Sequence, residues 1–156
     1  MGGFRGGIPR FVQAKGACSA KCSAPVADGA KPGTMHAVNE TTQLNLDGRR
    51  FAMVSSTASR VDPDAPTRFD YREEDGVIWG GYEGDTVLHG RFVGVRRQDE
   101  IELSYVHLTR DGDSPVAGRS TSRIEPLPDG RLRLVEEFTF DGDDTPQVSV
   151  CEELPA

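Results

Sequence analysis

The chain has 156 residues, with 18 basic and 25 acidic side chains, a formal net charge of −7, and 36% hydrophobic residues. That length allows one domain with a substantial core. The acidic balance argues against a nucleic-acid backbone or an anionic membrane as partner, since both call for a basic surface.

The first 34 residues, "MGGFRGGIPRFVQAKGACSAKCSAPVADGAKPGT", are rich in Gly, Ala, Ser, Pro and Lys and show neither a period of 2 nor one of 3.6. Such a stretch buries too little apolar surface to offset its ordering entropy, so residues 1–34 are predicted to be a disordered tail, with the domain spanning 35–156. Met35 stands directly before the first patterned sequence, which makes an upstream extension of the reading frame the other explanation of this segment. It has no continuous apolar region of the kind a secretion signal carries. Cys18 and Cys22 form C-x3-C with no second pair nearby, so no zinc site is expected there. Three cysteines in all are too few for a disulfide framework, and the expectation is a cytoplasmic protein with reduced thiols. No apolar run approaches the roughly 20 residues a membrane helix requires.

From Leu44 onward, turn letters recur at short intervals: "LDG", "VDPDAP", "EEDG", "YEGD", "RQDE", "RDGDS", "PLPDG" and "DGDDTP". Gly and Asp tolerate the positive φ of hairpin turns, and Pro interrupts strands. The runs between them predict strands at 50–55, 67–72, 77–82, 86–96, 100–108, 116–125, 131–140 and 147–153. No segment has a sustained helical period. The fold class expected is all-β, a single antiparallel up-and-down barrel of about eight strands, because closure removes exposed edges. Such a barrel has room for side chains or one small ligand.

Alternation along "ELSYVHLTRDG" puts Ile101, Leu103, Tyr105 and His107 on one face. A turn centred on "RQDE" pairs His107 with Gly90 and Tyr105 with Phe92. One centred on "YEGD" pairs Gly90 with Trp79, and "EEDG" sets Tyr71 against Trp79. Further on, Gly118 is expected opposite His107, Ser120 opposite Tyr105, Glu136 near Ser120 and Glu152 near Glu136. Glu136 shares its parity with Leu132, Leu134 and Phe138, while Glu152 shares its own with Val148 and Val150. The projected interior, and hence the candidate ligand-binding set, is Tyr71, Trp79, Tyr105, His107, Ser120, Ser122, Glu136 and Glu152. Gly90 and Gly118 would leave space on both sides of His107. Cys151 takes the outward parity.

The stretches "YREEDGVIWGGYEGDTVLHGRFVG", "LSYVHL", "GRSTS", "LVEEFTF" and "CEE" resemble a group of small bacterial proteins that commonly carry the label N-acetylglutamate synthase. The likeness covers roughly Leu44 to Leu154 and implies a lipocalin- or avidin-like barrel. The label would imply acetyl-CoA-dependent N-acetyl transfer. Acetyltransferases of that type open a helix with an R/Q-x-x-G-x-G/A loop, and this sequence contains neither the loop nor the helix.

The reading these residues favour is a small-molecule-binding barrel with a polar interior patch and no cofactor. The alternative is a small barrel enzyme, a cyclase, isomerase or hydrolase, with His107 and Glu136 as acid–base pair and Tyr105 as hydrogen-bond donor. A carboxylate beside His107 would raise its pKa and suit it to an acid role. A buried Glu–His–Tyr network that satisfies itself would be a core device instead. His89 falls on the outer parity, so no histidine cluster for a metal is expected. "DGDSP" and "DGDDTP" lack the Gly and Glu placement of a calcium loop. The partner expected is a small molecule, with no nucleic acid or membrane, and a homodimer is possible.

Overall fold

A computed structural model of the chain describes residues 44–156; the expected tail and the boundary at Met35 lie outside the described residues. Eight strands follow one another: β1 (Arg50–Ser56), β2 (Arg68–Glu74), β3 (Val77–Gly84), β4 (Val87–Arg97), β5 (Glu100–Thr109), β6 (Val116–Pro126), β7 (Leu132–Phe140) and β8 (Asp143–Glu153). Every neighbouring pair is antiparallel, and β8 pairs back onto β1 to close the barrel. The described residues include no helix long and apolar enough to cross a membrane.

Turn chemistry sets the hairpins. Asp75 and Gly76 both have positive φ, 50° and 77°, the backbone of a two-residue turn whose twist matches the strands it joins. Asp85 (φ 51°) turns β3 into β4, and Gln98 (φ 63°) turns β4 into β5.

The two ends of the barrel are filled differently. At one end Leu46, Phe51, Ile78, Ile101, Ile124, Leu132 and Leu134 are sealed from solvent and form a packed plug. The segment before β1 crosses this end. It is tied down by Glu73, which accepts the Leu46 N–H at 2.7 Å, and by Arg96, which donates to the Leu44 carbonyl. At the other end the register slips at Met53/Ser55, Tyr82/Gly84, Val87/His89 and Phe138/Phe140. Bulges of this kind gather at barrel rims, where they bend strands and re-aim side chains. This is the end that stays open.

The β4–β5 register is the expected one: Gly90 meets His107 and Phe92 meets Tyr105. The β3–β4 register is not. The turn is formed by Asp85 and Thr86, and with the bulge it sets Gly90 opposite Tyr82 and Trp79 opposite Val93. The displacement is an odd number of residues, which turns every β3 side chain to the other face. Ile78, Gly80 and Tyr82 therefore point inward, and Trp79, 39% exposed, lies on the outer wall. The same correction applies to β8. Its hairpin turns at Asp141–Gly142, earlier than expected, so Ser149 rather than Glu152 meets Glu136. Ser149 and Cys151 are inside, while Glu152 is outside in an ion pair with Arg133 at 2.7 Å.

Candidate functional site

A cavity of about 440 Å³ opens at the bulged end. Typical small-molecule sites run from roughly 300 to 1,000 Å³. Its walls are chiefly aromatic: Phe69 and Tyr71 from β2, Tyr82 from β3, Phe92 from β4, Tyr105 from β5, Phe138 and Phe140 from β7. The rings pack into one another, Phe69 stacked on Tyr82 with centroids 5.2 Å apart and Tyr71 tilted against Phe92 at 4.6 Å. Met53, Ser56, Ala58 and Ser59 line the cavity from β1 and the loop that follows it. A second depression, about 490 Å³, lies mainly on the outer wall across β4–β7, where Val93, Glu102, Arg119 and Glu137 line it. It is open to solvent and gathers none of the interior polar groups except Ser120.

Glycines make the ring packing possible. A Cβ at Gly90 would collide with the Tyr82 ring, and one at Gly118 with the Tyr105 hydroxyl and the Thr139 carbonyl. The sequence reading assigned this volume to empty space beside His107; the structure fills it with tyrosine rings instead. Gly118 lies opposite Tyr105, and His107 is opposite Val116.

His107 sits near the mouth, half-buried, its Nδ1 2.9 Å from the Tyr82 hydroxyl and its ring stacked with Tyr105. Burial lowers its pKa below the ordinary histidine value. The expectation of a raised pKa required a carboxylate beside the ring; no carboxylate among the described residues hydrogen-bonds it, and burial acts unopposed to lower the pKa instead. At neutral pH the imidazole is uncharged. Tyr105 donates to the Thr139 carbonyl at 3.0 Å, which leaves its oxygen lone pairs free.

Glu136 marks the floor, one inward position above Leu134 of the plug and opposite Ser122 and Ser149. It is enclosed by the barrel, and the surface it retains opens into the cavity. Burial raises its pKa above the ordinary carboxylate value, against the opposing pull of the Ser120 and Ser149 hydroxyls. Ser149 donates to it at 2.8 Å. Ser120 lies close enough to influence the carboxyl, yet its Oγ makes no hydrogen bond of good geometry, and the same holds for Ser122 Oγ. Both serines are inward, as parity predicts, but Ser120 lies opposite Phe138 and Leu103 rather than Glu136 and Tyr105.

The interior gathers other titratable groups that burial keeps neutral. The Tyr71, Tyr82 and Tyr105 phenols and the Cys151 thiol are all pushed up, each first by desolvation and then by nearby groups that include Glu136. No arginine or lysine lines the cavity. No cluster of three or more His, Cys, Asp or Glu among the described residues is placed to hold a metal.

Of the candidate binding residues, the structure thus brings Tyr71, Tyr105, His107, Ser120 and Glu136 to one cavity. Ser122 is sealed beside its floor, and Trp79 and Glu152 are on the outer wall. The sequence reading missed Tyr82, which partners His107, and the inward Ser149, which partners Glu136. A turn at Asp85–Thr86 alone would pair Tyr82 with His89, and only the bulge at Tyr82/Gly84 turns Tyr82 inward; a turn at Asp141–Gly142 gives Ser149 the inward parity.

No curated protein and no solved structure matches the chain. A family model described as "Avidin-like protein" matches residues 44–154, the whole barrel from the segment that crosses its plugged end to the end of β8. Nothing in that match carries the N-acetylglutamate synthase label. With a closed eight-stranded barrel, an aromatic cavity at one end and a family match along its full length, the chain belongs to the avidin-like family.

Proposed function

We propose that this barrel binds a small molecule in its open end, with Tyr71, Tyr105, His107, Ser120 and Glu136 among the contacting residues. The observation that carries this reading is the cavity itself: about 440 Å³, aromatic-walled, with a few polar groups converging on its floor. A core device would have closed on those groups. Here Ser120 and Glu136 both line the cavity, and the Ser120 Oγ makes no hydrogen bond of good geometry. A thermal-shift and native mass-spectrometry screen of the protein tests the proposal. A hit should raise Tm and compete with substitutions at the floor; hits unaffected by floor substitutions would place binding elsewhere.

A second reading has one observation in its favour. His107 is neutral at pH 7, faces the cavity and is held by the Tyr82 hydroxyl, so it could accept a proton from a bound substrate. In that reading His107 is the base, Glu136 the proton donor in its neutral form, and Tyr105 a hydrogen-bonding group. Turnover that rises with pH through the lowered histidine pKa, and disappears in His107→Phe, supports it. A bound ligand recovered unchanged argues against it.

A homodimer is also part of the proposal. Val77, Trp79, Val93 and Val95 are exposed neighbours on the outer wall of β3 and β4, an apolar patch that a second copy could cover. A reducing, cytoplasmic setting suits the unpaired Cys151 thiol.

A further inference from the structure

Of the enclosed carboxylates Glu73 and Glu136, only the first has a counter-charge among the described residues. Glu73, at the plugged end, is held by Arg96. Glu136 forms no ion pair with any described residue, and the cavity it faces contains no arginine or lysine. An isolated buried carboxylate is costly, and proteins relieve that cost by protonating it or by supplying a cation. None of the described residues supplies one, so the space above Glu136 is where one could come from outside the barrel.

The surroundings fit a cation and suit an anion poorly. Tyr82, Phe92, Tyr105 and Phe138 present ring faces and edges around the cavity, and aromatic faces attract organic cations. A primary ammonium has three N–H donors and no acceptor. Two acceptors meet at the floor, a Glu136 oxygen and the Ser120 Oγ, which makes no hydrogen bond of good geometry; the Tyr105 Oη, whose proton is given to the Thr139 carbonyl, lies further up the wall. Other polar groups facing Glu136 are Ser122 and Ser149 hydroxyls, the Tyr71 and Tyr82 phenols and the Cys151 thiol, none of them cationic. The net charge of −7 adds long-range attraction for positive ligands.

We propose that the cavity takes an organic cation, a primary ammonium on an apolar or aromatic body, with the ammonium seated between Glu136 and Ser120. This rests on the binding reading above and names the chemical class of its ligand.

Isothermal titration at pH 8 with 2-phenylethylammonium, its neutral isostere 2-phenylethanol and the anion phenylacetate tests it. The ammonium should bind at least about tenfold more tightly than the alcohol, a difference of roughly 1.4 kcal/mol, and phenylacetate should not bind. Over the pH range in which free Glu136 is protonated, ammonium binding releases its proton, so there the affinity should rise with pH and the heat should depend on buffer ionisation. His107 also loses charge as pH rises. Glu136→Gln separates the two: it should abolish both the preference for the cation and the pH dependence, whereas a rise caused by His107 would survive it. Ser120→Ala should weaken the ammonium more than the alcohol. If the alcohol binds as tightly as the ammonium, or Glu136→Gln leaves the preference intact, the cation assignment is wrong while the binding cavity stands. If none of the three enters, both fall.

Discussion

Glu73 at the plugged end and Glu136 at the floor of the open cavity show how the same side chain serves two surroundings in one barrel. Glu73 is 7% exposed and receives two hydrogen bonds from Arg96, 2.6 and 2.8 Å long, the arginine itself 8% exposed. Burial would raise its pKa, but the Arg96 hydrogen bonds, the Leu46 N–H and the arginine charge together hold it below the ordinary value. Glu136 has only serine hydroxyls, and burial prevails. The plugged end completes its electrostatics internally and can be rigid. The open end does not, and that is where a ligand has something to supply.

Breaking the complete pair should have the largest effect. Arg96→Leu leaves Glu73 buried and uncompensated and releases the segment from Leu44 to Leu46, at a cost of about 3–5 kcal/mol. Chemical denaturation would measure it, and a loss within about 0.5 kcal/mol would mean the pair is solvated in solution. Next is Ile101→Ala in the plug, a large-to-small change at a fully buried site, expected to cost about 2–5 kcal/mol and to leave ligand binding intact if the protein stays folded. Gly90→Val drives a side chain into the Tyr82 ring; overpacking of about 1–3 kcal/mol and a displaced Tyr82–His107 contact should both appear, the second in the histidine NMR signals.

The glutamine substitutions sharpen the contrast through their signs. A lowered folded pKa gives Glu73 a stabilising effect that is present above its unfolded value, near 4.5, and is lost as pH falls through the folded value. Glu73→Gln should therefore lower Tm at pH 7 and matter little at low pH. Glu136 has a raised folded pKa, so it costs nothing below the unfolded value. Stability then declines as pH rises from there to the folded pKa, because the unfolded chain ionises first. Glu136→Gln should leave Tm unchanged at low pH and raise it at neutral pH. Thermal melts across that window would show both, and equal signs for the two variants would remove the distinction. The smallest effect belongs to Trp79→Ser on the outer wall, within about 0.5 kcal/mol for a monomer; sedimentation would reveal whether it dissolves a dimer.

Much of this was legible in the sequence. Turn letters located all eight strands to within a few residues, because each hairpin needs Gly, Asp or Pro at fixed points. Facing was legible only where the register was right or wrong by an even number of residues. For β6 and β7 the register differs from expectation by an even number of residues, so Ser120, Ser122 and Glu136 point inward even though their opposite numbers change. For β3 and β8 the difference is odd, and Trp79, Cys151 and Glu152 change faces with it. Bulges at the rim, such as Tyr82/Gly84, add a residue to one strand without any letter that announces it. Arg96, the partner that separates the two carboxylates, is contributed from β4 across the plugged end, and nothing local in the chain couples it to Glu73.

The most direct test is a carbon-detected NMR titration of the glutamate side-chain carboxyls in the unliganded protein, with Glu73 and Glu136 assigned through their glutamine variants. Glu136 should titrate above the ordinary glutamate value and Glu73 below it, and addition of 2-phenylethylammonium should drive Glu136 alone back down. If Glu136 titrates at or below the ordinary value without ligand, its charge is already compensated, and the open end holds no unmet demand for a cation.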